Sequence, residues 1–136
     1  MFRHDATSWV GATGLSQIMP ATGRWLASTI GIRSFETRLL TVPEVNLRMG
    51  ARYLGDQLRS YDGSRDLALA AYNAGPSRAT RWRRTLDHGG DTDAFREAIP
   101  FDETRHYVKV VLRNAAIYER LYAEERPVGL VHLDDR

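Results

Sequence analysis

These 136 residues predict an all-α domain. Three observations carry that reading. Apolar residues recur at three- and four-residue steps through most of the chain. No segment alternates apolar and polar residues as a half-buried strand would. Glycine and proline fall at the ends of the periodic runs, where they interrupt helices least.

The elements follow in order. PATGRWLASTI (20–30) reads as a helix with Pro20 in its first turn, where the missing N–H leaves no bond unmade. Thr41 and Glu44 have the spacing of a capping box, and Pro43 marks a second helix start. Val45, Met49, Tyr53, Leu54, Leu58 and Tyr61 then share one helical face, and DGS at 62–64 breaks it. LALAAYNAG (67–75) is a short apolar helix stopped by Gly75 and Pro76. SRATRWRRTL (77–86) makes another, ending near the glycines of DHGGD, and DTDAFREAIP (91–100) a third, stopped by Pro100. The longest runs over 102–122, with a stripe of Val108, Val111, Leu112, Ala115, Tyr118 and Tyr122. Residues 123–136 read as a short, loosely held C-terminal tail.

Composition excludes several classes. The length suits one compact domain. With 43% hydrophobic and 26% charged residues the chain has the balance of a globular protein, unlike a disordered one. No apolar run approaches the roughly 20 residues needed to cross a bilayer. Arg3, His4 and Asp5 interrupt any apolar leader, so the chain as numbered shows no signal peptide. The absence of cysteine removes disulfides and thiolate metal sites. A net charge of +2 would suit an acidic polymer, nucleic acid or cell wall, without selecting either.

Three polar clusters interrupt the helical pattern: SWVGATGLSQIMP (8–20), AAYNAGPSRA (70–79) and PFDETRHYV (100–108). Each sets glycine or proline at an element boundary beside hydrogen-bonding side chains, where binding sites are commonly built. Ser8, Gln17, Tyr72 and Asn73 could pair with sugar hydroxyls and N-acetyl groups, while Met19 and Tyr72 could lie against a pyranose ring. The plainer alternative stays open: Asn73–Gly75 as a helix terminus, and Gln17 as a loop residue satisfying backbone groups.

In this order, the clusters resemble the signature of the soluble-type lytic transglycosylases, which share the goose-type lysozyme fold. GATGLSQIMPAT, PEVNLRMGARYLGDQL, ALAAYNAGPSRA and IPFDETRHYVKVVL each resemble a segment of that family, and the likeness covers residues 1–122. Ser16 stands where the family usually has methionine, and Ser77 where it often has glycine. The resemblance implies a lysozyme-like transglycosylase domain. It implies non-hydrolytic cleavage of the β-1,4 bond between N-acetylmuramic acid and N-acetylglucosamine, giving a 1,6-anhydro product. Peptidoglycan strands would be the partner, in the periplasm or cell envelope. No cofactor or metal is implied, and a monomer is expected. Ser8, Gln17, Met19, Tyr72, Asn73 and Glu103 would line the sugar groove.

In this family one glutamic acid protonates the leaving oxygen and then serves as base while the sugar's own 6-hydroxyl closes onto C1. Such substrate-assisted schemes need no second carboxylate. An ungapped alignment of GATGLSQIMP places that glutamate two positions before Met1. The numbered chain is therefore expected to lack its catalytic acid and the N-terminal helix that carries it, and to be inactive. The expectation is a misassigned start or a fragment. Asp5 lies too far along and is too short to substitute. Glu103 could brace the groove, or could simply be a first-turn carboxylate favoured by the helix dipole.

Two other readings compete. RATRWRR (78–84) gathers Arg78, Arg81, Arg83 and Arg84 around Trp82, the pattern of a nucleic-acid-binding module or of a solvated helix face anchored by its tryptophan. A glycan-binding pseudoenzyme would keep Gln17, Tyr72 and Asn73 without the acid. Asp102, Glu103 and His106 have helical spacing, but the other histidines are scattered and no metal site is expected.

Overall fold

Among the described residues, proline opens three of the six helices, each time at the first helical position. The computed structural model describes residues 3–86 and 88–123. Within them the order is α1 (Pro20–Thr29), a 3-10 turn (Thr37–Thr41), α2 (Pro43–Ser60), α3 (Arg65–Ala74), α4 (Pro76–Thr85), α5 (Thr92–Ala98) and α6 (Asp102–Ala123). Among the described residues, extended pairing is confined to two isolated bridges, Thr7 with Thr13 and Thr13 with Ile18.

Start signals are local. The Ser64 hydroxyl accepts from the Leu67 amide to cap α3, and the Asp91 carboxylate accepts from Asp93 and Ala94 to cap α5. The capping box expected of Thr41 and Glu44 does not form. Thr41 closes the preceding 3-10 turn, its hydroxyl donating to the Arg38 carbonyl at 2.8 Å, so Val42 takes the cap position with no side-chain oxygen to offer.

α3 is the centre of the molecule, packing against α2, α4, α5 and α6. Its fully buried Ala68, Ala70 and Ala71 let those neighbours approach closely. One apolar cluster joins α3 to Trp82, Phe95, Ile99 and Val108. A second gathers Ile18, Leu26, Leu40 and Met49 beneath the segment before α1. Asp66 on α3 and Arg96 on α5 are tied by a 2.6 Å ion pair, with the carboxylate almost wholly buried.

The predicted α6 stripe holds only over its first half. Val108 is buried and Val111 and Leu112 pack partly against the core. Tyr118 and Tyr122 are instead 60% and 56% exposed and stack on each other, because the packed core ends before that turn among the described residues. The expected loose tail lies, from residue 124 on, outside the described residues.

Candidate sugar-binding groove

The first polar cluster folds as a small knot of chain ahead of α1. Thr13 and Ile18 exchange backbone hydrogen bonds at 2.9 and 3.0 Å, enclosing residues 14–17 in a tight turn. Gly14 has φ +81°, and a Cβ there would collide with the Leu40 carbonyl and the Asn46 side chain, so only glycine fits. Gln17 also adopts a left-handed backbone (φ +50°), which is unusual for a residue with a side chain. Its amide nitrogen donates to the carbonyls of Gly14 (2.9 Å) and Ala6 (3.2 Å) and so holds that conformation.

Two side chains fasten this turn to the helical body. Asn46, fully buried on α2, donates to the Thr13 and Leu40 carbonyls, both at 2.9 Å, and accepts from the Ser16 amide at 2.6 Å. The Tyr72 hydroxyl on α3 donates to the Ser16 carbonyl at 2.8 Å. Gly50 makes the approach possible, because a Cβ there would meet the Ser16 side chain inside van der Waals contact. Burial raises the Tyr72 phenol well above its ordinary pKa, so it stays a neutral donor at any physiological pH.

Between this turn and α3 lies a cavity of about 320 Å³. Gln17, Ile18, Met19 and Thr22 form one wall, Tyr53 and Tyr72 the floor side, and Asn73 to Pro76 the other wall. The Tyr53 and Tyr72 rings meet at 5.2 Å, and Trp25 meets Tyr53 edge-on at 6.5 Å. Asn73 is fixed from behind: its Oδ1 accepts from the buried Thr104 hydroxyl of α6 at 2.7 Å. A larger cavity of about 540 Å³ opens between the α2–α3 turn and the α4–α5 connection, but none of the motif residues lines it.

The cavity thus brings together four of the residues expected at a sugar groove: Gln17, Met19, Tyr72 and Asn73. Two others stand apart from it. The Ser8 hydroxyl accepts from the Ala12 amide at 3.0 Å and closes a turn in the N-terminal knot. Glu103 is an exposed residue in the first turn of α6 and does not line the cavity. Sequence reasoning missed Tyr53, which read only as part of an apolar stripe, and the supporting pair Asn46 and Thr104. A polar residue inside an otherwise apolar helical face was the available signal for Asn46.

The family model described as the transglycosylase SLT domain matches residues 1–95, and that of the soluble lytic transglycosylase helical domain matches residues 98–126. The chain belongs to the SLT transglycosylase family. The soluble lytic murein transglycosylase of Escherichia coli K12 is 40% identical over 119 residues, which is 87% of this chain and 18% of that one. An inactive glutamate-to-glutamine mutant of the lytic transglycosylase Slt from Pseudomonas aeruginosa superposes with a TM-score of 0.81 at 47% identity, covering 90% of this chain and 20% of that one. The 70 kDa soluble lytic transglycosylase SLT70 of Escherichia coli gives 0.80 at 39% identity, with 86% and 19% covered. The SLT chain described here therefore spans about a fifth of the length of these relatives. The all-α, lysozyme-like reading agrees with these neighbours. Among the described residues, no helix is long and apolar enough to cross a membrane.

Proposed function

We propose that residues 1–122 form the glycan-binding body of a peptidoglycan lytic transglycosylase, acting as a monomer in the periplasm or cell envelope. The single observation that carries this is the cavity in which Gln17, Met19, Tyr72 and Asn73, from two distant stretches of sequence, converge beside an aromatic floor. Amide groups at fixed positions and flat apolar faces are what an N-acetylated pyranose strand requires of a groove. The family relatives named as murein transglycosylases support peptidoglycan as that strand.

The reaction proposed is non-hydrolytic. A glutamic acid, held protonated by burial, gives its proton to the bridging oxygen and then takes one from the 6-hydroxyl as that oxygen closes onto C1. No aspartate or glutamate lines the cavity among the described residues. The inactivation of the Pseudomonas relative by a glutamate-to-glutamine change supports a glutamate in that role. Residues 1–136 alone then bind glycan without cutting it.

Incubation of the purified chain with sacculi tests both halves. Co-sedimentation with no 1,6-anhydromuramyl ends is the expected result. Failure to co-sediment would overturn the glycan reading. Release of ring-closed ends at an ordinary enzymatic pace would place the acid within these residues.

A further inference from the structure

We infer that Thr104 is a positioning residue: it locks the Asn73 amide with its NH2 group facing the groove, and this lock makes the groove select an acetamido sugar. The inference rests on the glycan-binding reading above and assigns the chemistry by which that groove would discriminate.

The orientation follows from what a buried hydroxyl requires. Thr104 is only 2% exposed, in the first turn of α6, and its sole hydrogen-bond partner among the described residues is Asn73 Oδ1 at 2.7 Å. A hydroxyl with one partner in a dry site must donate to it, since otherwise its proton would be stranded. The partner atom must therefore be the acceptor oxygen, which fixes the amide the one way round. Asn73 Nδ2 takes no protein acceptor among the described residues, and Asn73 lines the cavity, so its N–H groups are available to a ligand.

Gln17 shows the opposite polarity across the same cavity. Its amide nitrogen is taken up by the Ala6 and Gly14 carbonyls, leaving Oε1 as its unengaged atom. Across the cavity Asn73 therefore offers donors and Gln17 an acceptor, each set by bonds inside the protein. An acetamido group carries the complementary pair, a carbonyl oxygen and an N–H. A hydroxyl can serve either wall but lacks that fixed polarity, so a plain glucan gains less from the lock.

Calorimetric titration with chitotetraose and with cellotetraose, which has hydroxyls where chitotetraose has acetamido groups, tests this. The wild-type chain is expected to prefer chitotetraose. Thr104→Val should weaken chitotetraose about fivefold while leaving cellotetraose unchanged, and Thr104→Ser should restore the preference. Equal binding of chitotetraose by wild type and Thr104→Val overturns the inference, as does an equal loss for both sugars in the valine and serine variants, which would mark a merely structural role. A wild type that binds both sugars alike sinks the inference and leaves the glycan reading standing. A wild type that binds neither sinks both. Should Thr104→Val not fold, the side-chain amide resonances of Asn73 in the wild-type protein decide the matter: at equal saturation they must shift further with chitotetraose than with cellotetraose, and equal shifts overturn the inference.

Discussion

Asn46 and Tyr72 hold the turn that carries Gln17, and each does so by bonding main-chain atoms. Replacing Asn46 by alanine leaves the Ser16 amide and the Thr13 and Leu40 carbonyls without their partner in a buried setting. Denaturant unfolding should show a loss of about 3 kcal/mol. Tyr72→Phe removes one bond, to the Ser16 carbonyl, and should cost about 1 kcal/mol while loosening the turn and weakening glycan binding severalfold. Wild-type binding by Tyr72→Phe would remove tyrosine from the site. Burial also raises the phenols of Tyr53, Tyr72 and Tyr107 above the ordinary value, so the fold disfavours their ionised forms. Their contribution is intact below the unfolded value of about 10 and declines as pH climbs above it. Melting temperature should therefore fall in that alkaline range, and fall less steeply in Tyr72→Phe.

At the level of elements, the contact between α2 and the turn depends on glycine. Gly50→Ala should push Ser16 outward, break its bond with Tyr72 and reduce glycan binding more than it reduces helix content. The Asp66–Arg96 pair joins α3 to α5, and Asp66→Ala should cost about 2 kcal/mol, since it removes a charge-assisted bond to an almost buried carboxylate while Arg96 keeps Asp93 as its other partner. Comparison of unfolding curves in urea checks that figure.

What the sequence disclosed follows the range of the forces involved. Helix starts at Pro20 and Pro43 were legible because a proline ring acts on its own backbone, whereas Pro76, read as a stop, also opens α4. The Thr41 cap was misread because a 3-10 turn one residue earlier claimed its hydroxyl, and no local pattern announced that turn. The motifs named Gln17, Tyr72 and Asn73, yet their atoms' partners lie 3 to 56 residues away, so which side of each amide faces the groove emerged only from the fold. Ser8 and Glu103 belong to the same motifs but do not line the cavity. A short motif marks a boundary without saying which of its side chains turns inward.

For the molecule as a whole, the arginine-rich helix is placed by its tryptophan. Trp82 is 6% exposed and meets the half-exposed Phe101 edge-on at 5.2 Å, so it has no open face on which a base could stack. Arg83 pairs with Asp62 and Arg78 lies over the Phe101 ring, which makes α4 a solvated face anchored from below. The proposed glycan site is therefore the groove between the N-terminal turn and α3. A nitrogen-15 resonance titration of the 136-residue chain with chitotetraose tests that most directly. The account predicts saturable shifts concentrated at Gln17, Met19, Tyr72 and Asn73, with the larger cavity around Arg83 and His88 unmoved. Shifts centred on that second cavity, or no saturable shift at millimolar sugar, would contradict it.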